Sequence, residues 1–299
     1  LTNPNPPQLL NRLHYDRAWK TEYEIECMRR ANEIGVRGHR AAERAFRDGA
    51  SELDIHLEYL RASRHTEAEL PYGNIIALNQ HAAVLHYQHQ ERETPAAVHS
   101  FLIDAGASFN GYASDITRTW SSASDEFAEL VASVDRLEQE LCAAVRPGID
   151  YREVHRMAHR KVAEVLRRHR FIEIDPEEAV TKGVTSAFFP HGIGHYIGLQ
   201  VHDVGGFQAD PEGNEIPKPE GHPYLRLTRV VEPGQVFTIE PGIYFIDSLL
   251  ADLRGKGGRG LNWDRIDAFR KYGGVRIEDD VVVRDEGVEN LTRAAFAES

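Results

Sequence analysis

Three of the chain's fifteen histidines stand within sixteen residues, in FFPHGIGHYIGLQVHD from Phe188 to Asp203, with glycines between them. His191 and His195 are four apart, a spacing that on a helix would put both rings on one face, as in the HExxH zinc motif. The intervening residues oppose a helix. Gly192 and Gly194 each cost a helix interior about 1 kcal/mol relative to alanine, Pro190 stands just ahead, and the glutamate base of that motif is absent. In an extended segment, residues of equal parity share a face, so the two rings still point one way while the glycines let another chain approach closely. A glycine-rich turn with solvated histidines is the alternative, and this stretch alone leaves both open.

Four carboxylates sit in positions that ask for a reason. In SFLIDAGASFNGYASDITRTW, Asn110-Gly111 is a strong hairpin signal between two strand-like runs. With that turn, Asp104 faces Thr117 and Asp115 faces Gly106, so the two aspartates are diagonal neighbours on one face, roughly 7 to 8 Å apart. Unpaired they would repel and pay for desolvation, and a cation removes both problems. Solvated turn carboxylates are the alternative, plausible for Asp115 but poor for Asp104, which follows Phe-Leu-Ile. Glu240 ends the run VFTI and Glu278 follows Val-Arg-Ile; each alone reads as a strand-end surface residue. Two Asp, two Glu and one His form an oxygen-rich set that suits Mn²⁺ or a similar ion. Four carboxylates are too many for one ion and fit a two-metal centre, with ions about 3.5 Å apart around a shared hydroxide.

These residues need a scaffold, and 299 residues suffice for one large domain. From Glu22 to Phe46 small and apolar residues recur at Cys27, Ala31, Ile34, Gly38, Ala41 and Ala45, which predicts a helix stopped by Gly49. Ser51 with Asp54 caps a second, running to about Arg64. The pattern repeats: Phe127, Leu130, Val134, Leu137, Leu141 and Ala144, a stop at Pro147-Gly148, then a helix capped by Asp150 with Glu153 and running to about Arg168. Two helix pairs aligned on Gly49 and Gly148 suggest an internal duplication. The runs NIIAL, AVLHY, SFLIDAG, ASDITRTW, QVFTIEPGIYF and GVRIEDDVVV read as strands. The expected class is α+β, antiparallel strands covered by helices. FQADPEGNEIPKPEGHPYL and RGKGGRG read as long Gly/Pro loops.

Composition narrows the partners. With 35 basic against 47 acidic residues the net charge is -12, which disfavours nucleic acid and anionic membranes. No run approaches the roughly 20 apolar residues of a membrane span. Cys27 and Cys142 fall on apolar helix stripes, as expected of free thiols in the cytoplasm. LTNPNPP holds three prolines in seven residues; residues 1–20 are expected to be a linker from a missing N-terminal domain, with the catalytic domain over 21–299.

In order along the chain, DAG from Asp104, DITRTW from Asp115, PHGIGH, VHDVGG, TIEPG and RIED resemble the motifs of the pita-bread metallopeptidases, the group of methionine aminopeptidase, aminopeptidase P and prolidase. The resemblance covers essentially the whole chain. LHYDRAWKTEYEIECMR, PYGNIIALN and EPGIYFIDSLL are most similar to bacterial Xaa-Pro dipeptidases and organophosphorus acid anhydrolases. It implies a pita-bread fold of two pseudo-symmetric halves. Asp104, Asp115, His195, Glu240 and Glu278 match the metal ligands, with Asp115 and Glu278 bridging. The implied cofactor is two divalent ions per chain, Mn²⁺ first, Co²⁺ or Zn²⁺ as alternatives.

The implied reaction is hydrolysis of Xaa-Pro dipeptides, with Glu240 accepting a proton from water and His86 and His202 assisting at the scissile bond. His191 and His202 would line the substrate pocket. Arg226 matches the arginine that binds the substrate carboxylate; without the resemblance it reads as a surface residue in a strand. Aminopeptidase P action on longer peptides and a non-catalytic peptide-binding module are the alternatives. The resemblance also implies side hydrolysis of organophosphorus compounds and allows a homodimer.

Overall fold

The computed structural model describes residues 4–257 and 260–299. Residues 1–3 of the expected linker, and Gly258 and Arg259 of the RGKGGRG loop, lie outside the described residues. The remainder of the first twenty residues is more structured than a linker. Pro7–Asp16 forms helix α1, begun by a proline whose missing N–H costs nothing in a first turn. Asn11 donates to the Glu212 carbonyl at 2.7 Å, and the Arg229 guanidinium lies 4.1 Å from the Tyr15 ring, so this helix is tied to the domain.

The two helix pairs form where periodicity places them. In the first, α2 (Glu22–Arg47) opens on a capping box in which Thr21 and Glu24 satisfy each other's backbone, and α3 (Glu52–Ser63) starts at Ser51, whose hydroxyl accepts from the Asp54 amide. In the second, α4 (Glu126–Ala144) and α5 (Tyr151–Arg168) are capped by Asp125 and Asp150. The Asp150 carboxylate accepts from the Arg152 amide, while the Glu153 amide donates to the Asp150 carbonyl. Gly49 and Gly148 hold matching φ angles of 81° and 89° after the first helix of each pair, the left-handed conformation that glycine adopts without strain.

Each pair packs on a three-stranded antiparallel sheet. The first contains β1 (Ile75–Leu78), β2 (Ser100–Asp104) and β5 (Thr117–Ser121), with β2 central. Between β2 and β5 the short strands β3 (Ser108–Phe109) and β4 (Tyr112–Ala113) turn through Asn110-Gly111, and Asp104 pairs with Thr117 in the expected register. Helices α6 (Pro176–Thr181) and α7 (Val184–Phe188) precede β6 (Val236–Ile239) and β7 (Gly242–Tyr244); α8 (Asp247–Gly255) and α9 (Trp263–Phe269) lead to β8 (Gly274–Arg276), β9 (Asp279–Val283), β10 (Val288–Asn290) and α10 (Leu291–Glu298). The second sheet runs β10-β9-β6, and β7 pairs with β8. Among the isolated bridges, Thr117 with Glu278 joins the two halves.

AVLHY is not a strand. The 3-10 turn Asn79–Ala83 ends on the first residue of that run and residues 84–87 continue as a further turn, Tyr87 donating to the Val84 carbonyl at 3.1 Å, because the Glu52 carboxylate gathers the Leu78 and Glu91 amides, His81 Nδ1 and the Tyr87 hydroxyl at 2.7 to 2.9 Å. A buried carboxylate with four donors outweighs the β propensity of five residues. FQADPEGNEIPKPEGHPYL contains a hairpin-like turn: Ile216 donates to the Phe207 carbonyl and Ala209 to that of Asn214, both at 2.7 Å, while Asp210 caps the Glu212 and Asn214 amides.

Candidate metal centre

The acids gather where the halves meet. Asp104 closes β2; Asp115 follows the β3–β4 turn; Glu240 follows β6; Glu278 links β8 to β9. The segment carrying His195 runs extended along β6, with Thr238 donating to the His195 carbonyl at 3.0 Å and Glu240 to that of Ile193 at 2.9 Å. Gly194 is the reason it can lie so close: a Cβ there would stand 2.0 Å from the Thr238 carbonyl oxygen. Extended backbone with close approach is therefore what this motif adopts, and the solvated-turn alternative falls, since His195 is only 3% exposed.

Ligating atoms of Asp115, His195 and Glu278 lie within 4.8 Å of one another. His195 Nδ1 donates to the Tyr196 carbonyl at 2.9 Å, which leaves Nε2 facing Asp115 Oδ2 at 3.4 Å and Glu240 Oε1 at 3.9 Å. Asp115 Oδ1 accepts from the Tyr72 hydroxyl at 2.6 Å, and Glu278 Oε2 from Thr117 Oγ1 at 2.7 Å. Asp104 Oδ2 accepts from Arg276 at 2.7 Å, while its buried Oδ1 has no hydrogen-bond partner. Asp115, His195 and Glu278 thus form one cluster; Glu240 stands beside it through His195, and the Asp104 charge acts on Asp115 and Glu278.

Electrostatics make the same point. Burial, then the charges of Asp115, Glu240 and Asp104, push Glu278 well above the ordinary carboxylate range; burial above all pushes Glu240 up to about 7. Burial alone would lower His195, but Asp115 and Glu240 raise it to about 9. With protein groups alone, four crowded carboxylates are under-compensated by Arg276 and His195. Divalent cations complete the charge balance, and the free Asp104 oxygen and the O-rich donor set fit them.

Around this centre, His191 Nε2 meets the Tyr244 hydroxyl at 2.9 Å, and its Nδ1 donates to the Gly192 carbonyl at 2.8 Å while lying 3.5 Å from Glu240 Oε2, so it borders the site beside Glu240. The His202 ring stands edge-on to that of His195, centroids 4.3 Å apart. His86, exposed three residues beyond the 3-10 turn, and Arg226 are near enough that their charges act on His202. Arg226 is exposed, in irregular backbone rather than a strand, and its segment is pressed against both glycine motifs: a Cβ on Gly192 would be 2.9 Å from the Leu225 Cα, and one on Gly206 2.5 Å from the Arg226 carbonyl.

Sequence reasoning missed three residues. Fully buried Arg276 donates to Asp104, to Thr117 Oγ1 at 3.1 Å and to the Tyr244 hydroxyl at 2.8 Å; Tyr72 and Tyr244 complete the surround. The signal for Arg276 was present in GVRIEDDVVV, a lone cation inside an apolar run next to an acid.

Two like halves around a buried, carboxylate-rich centre at their seam define a metallohydrolase of the pita-bread type. Residues 26–285 match the model of metallopeptidase family M24, and the chain belongs to that family. It is 57% identical over 295 residues to the Xaa-Pro dipeptidase of Stenotrophomonas maltophilia (strain K279a), covering 98% of this chain and 67% of that protein. To the Xaa-Pro dipeptidase of Aeromonas hydrophila subsp. hydrophila it is 53% identical over 298 residues, 99% of this chain and 68% of that one. Among solved structures, zinc-substituted E. coli aminopeptidase P in complex with product is similar at TM-score 0.75 and 29% identity, covering 94% of this chain. E. coli aminopeptidase P with the inhibitor Pro-Leu is similar at TM-score 0.76, also 29% identical and covering 94% of this chain. The chain spans about two thirds of the curated relatives and 58% of those aminopeptidase P chains.

Proposed function

We propose that this chain is the catalytic part of a dinuclear metal-dependent Xaa-Pro dipeptidase. The observation that carries the reading is the cluster of Asp115, His195 and Glu278 at the seam, with Glu240 and Asp104 beside it, in a family of metallopeptidases whose members at 53 to 57% identity are named Xaa-Pro dipeptidase. Asp115 and Glu278 would be shared between two ions, and Asp104, His195 and Glu240 would complete their ligands. Mn²⁺ suits this oxygen-rich set best, with Co²⁺ or Zn²⁺ as substitutes. Bound there, the ions supply Lewis-acid polarisation and a lowered pKa for water.

The chain's own residues supply the rest. Glu240 is positioned to take the proton of an attacking water, with His191 Nδ1 3.5 Å from its second oxygen. Arg276 holds Asp104 and Tyr244, and Tyr244 in turn fixes His191. His202 and His86 stand on the open side, where they can donate to a carbonyl oxygen or to the leaving imide nitrogen. That nitrogen carries no hydrogen, so the site must hold proline by shape. The Arg226 guanidinium, which makes no hydrogen bond or ion pair to any described residue, is free to grip the carboxylate of a dipeptide. Slow hydrolysis of organophosphorus esters is a side reaction the same centre can support, and the acidic chain needs neither nucleic acid nor membrane as partner. Among the described residues no helix is long and apolar enough to cross a membrane.

The test is product analysis of the Mn²⁺-loaded protein with Xaa-Pro, Xaa-Pro-Xaa and Xaa-Ala peptides. Release of proline from Xaa-Pro alone is expected. Faster cleavage of the tripeptide makes it an aminopeptidase P, and no cleavage of any makes it a binding module.

A further inference from the structure

A second cluster of ligand-type side chains lies outside the carboxylate centre. His155 and His159 stand one turn apart on α5, and His222 reaches them from the Gly/Pro segment that follows the hairpin-like turn. The three rings form a near-equilateral triangle, with centroids 4.7, 4.6 and 4.6 Å apart. Ligating nitrogens of all three lie within 4.8 Å of one another.

Hydrogen bonding does not account for this packing. His155 Nε2 meets His222 Nδ1 at 2.9 Å, His159 Nδ1 meets Thr185 Oγ1 at 2.9 Å, and His155 Nδ1 is buried with no partner. His155 and His159 are 1% and 2% exposed. Burial first, then the neighbouring rings, keep them neutral at physiological pH, with His155 down to about 2 and His159 to about 3. A neutral ring is the ligating form. The charged side chain acting on His155 and His222 from α5 is Arg156, itself paired with Glu153. Phe189 packs against His155, His159 and His191, so the cluster backs onto the wall of the candidate substrate pocket without sharing a ligand with it.

We propose that His155, His159 and His222 form a mononuclear site for a late first-row divalent cation such as Zn²⁺. Metal–nitrogen bonds of 2.0 to 2.1 Å at tetrahedral angles set the nitrogens about 3.3 Å apart, so the His155–His222 pair needs to open by a few tenths of an ångström. Thr185 orients His159 through Nδ1 and leaves Nε2 to ligate, the arrangement typical of metal-bound imidazole. Three imidazoles without a carboxylate select Zn²⁺, Cu²⁺ or Ni²⁺ over Mn²⁺, the opposite preference to the seam. His222 is half-buried, which leaves a side open for the ion to enter and for water as fourth ligand. The site would pin the segment from Phe207 to Tyr224 onto α5 through His222, which stands four residues before Arg226.

The full chain, stripped of metal and reconstituted separately with Zn²⁺ and with Mn²⁺, tests this by bound metal per chain after free ion is removed. The parent is expected to retain one Zn²⁺ more than His222→Gln and His159→Gln, with equal Mn²⁺ in all three. His222→Gln alters a half-exposed loop residue, so equal Mn²⁺ content also reports an intact fold at the seam. Zn²⁺ should further protect the 207–224 segment from proteolysis in the parent and not in His222→Gln. Equal Zn²⁺ content in the parent and both variants would overturn the proposal.

Discussion

Arg276 is the residue on which the site depends most after its ligands. One fully buried guanidinium spans Asp104, Thr117 and Tyr244, three elements of both halves, and keeps the Asp104 carboxylate turned toward the centre. Arg276→Lys removes the fork while keeping the charge; since loss of a group that orients a metal ligand typically costs 10- to 100-fold, kcat is expected to fall by about that much with reduced Mn²⁺ affinity. Unchanged kcat and Mn²⁺ affinity would count against that role. Arg226 acts at the other end. Arg226→Ala should raise KM for Xaa-Pro by about 10- to 150-fold, from the roughly 1.5 to 3 kcal/mol of a charge-assisted hydrogen bond, and leave kcat nearly unchanged. Amidating the substrate should erase the difference between the two proteins; if it persists, Arg226 does not read the carboxylate.

At the scale of elements, the close approach of the PHGIGH segment to β6 fixes the position of His195. Gly194→Ala would drive a methyl group into the Thr238 carbonyl and should destabilise the fold by about 3 kcal/mol or more, whereas Gly255→Ala, with open space at its Cβ, should be neutral or stabilise α8 by up to about 1 kcal/mol. Equal melting temperatures for the two variants would remove the steric explanation. The paired helices, the Asn110-Gly111 turn and the Asp104–Thr117 register were legible in the sequence because each is set by local periodicity or by one turn. The turn at Asn79–Ala83 was not, because its cause is Glu52, 27 positions before Asn79 and on another element. Helix α1 was likewise hidden behind prolines that suit both a linker and a first helical turn. For the site, Asp104 stood out as a charge at the end of an apolar strand, whereas Asp115, Glu240 and Glu278 each read alone as surface residues and drew notice only as a set. Tyr244 did not stand out, because a tyrosine inside an apolar run looks like core until its hydroxyl's partner is known, and Tyr72, between Pro71 and Gly73, reads as a turn residue.

For the molecule as a whole, the seam both builds the site and sets conditions for stability. His39, inside the first half, donates to the Ala105 carbonyl at 2.9 Å next to Asp104, and burial holds its pKa down to about 3. In the unfolded chain the same ring titrates near 6.5, so as pH falls below that value the unfolded state takes the proton first. The stability this neutral ring contributes is present above pH 6.5 and declines toward pH 3 by about 1.4 kcal/mol per pH unit. Urea unfolding of the metal-depleted protein between pH 6.5 and 4.5 should therefore show a steeper loss for the parent than for His39→Asn by about that slope; parallel curves would contradict it. The central claim is that two ions at the seam make Xaa-Pro hydrolysis possible, and metal titration tests it most directly. Metal-depleted protein given increasing Mn²⁺ should go from no proline release to full activity with two tightly bound equivalents per chain, and Asp115→Asn should stay inactive throughout. Full activity without metal, or in Asp115→Asn, would contradict the account.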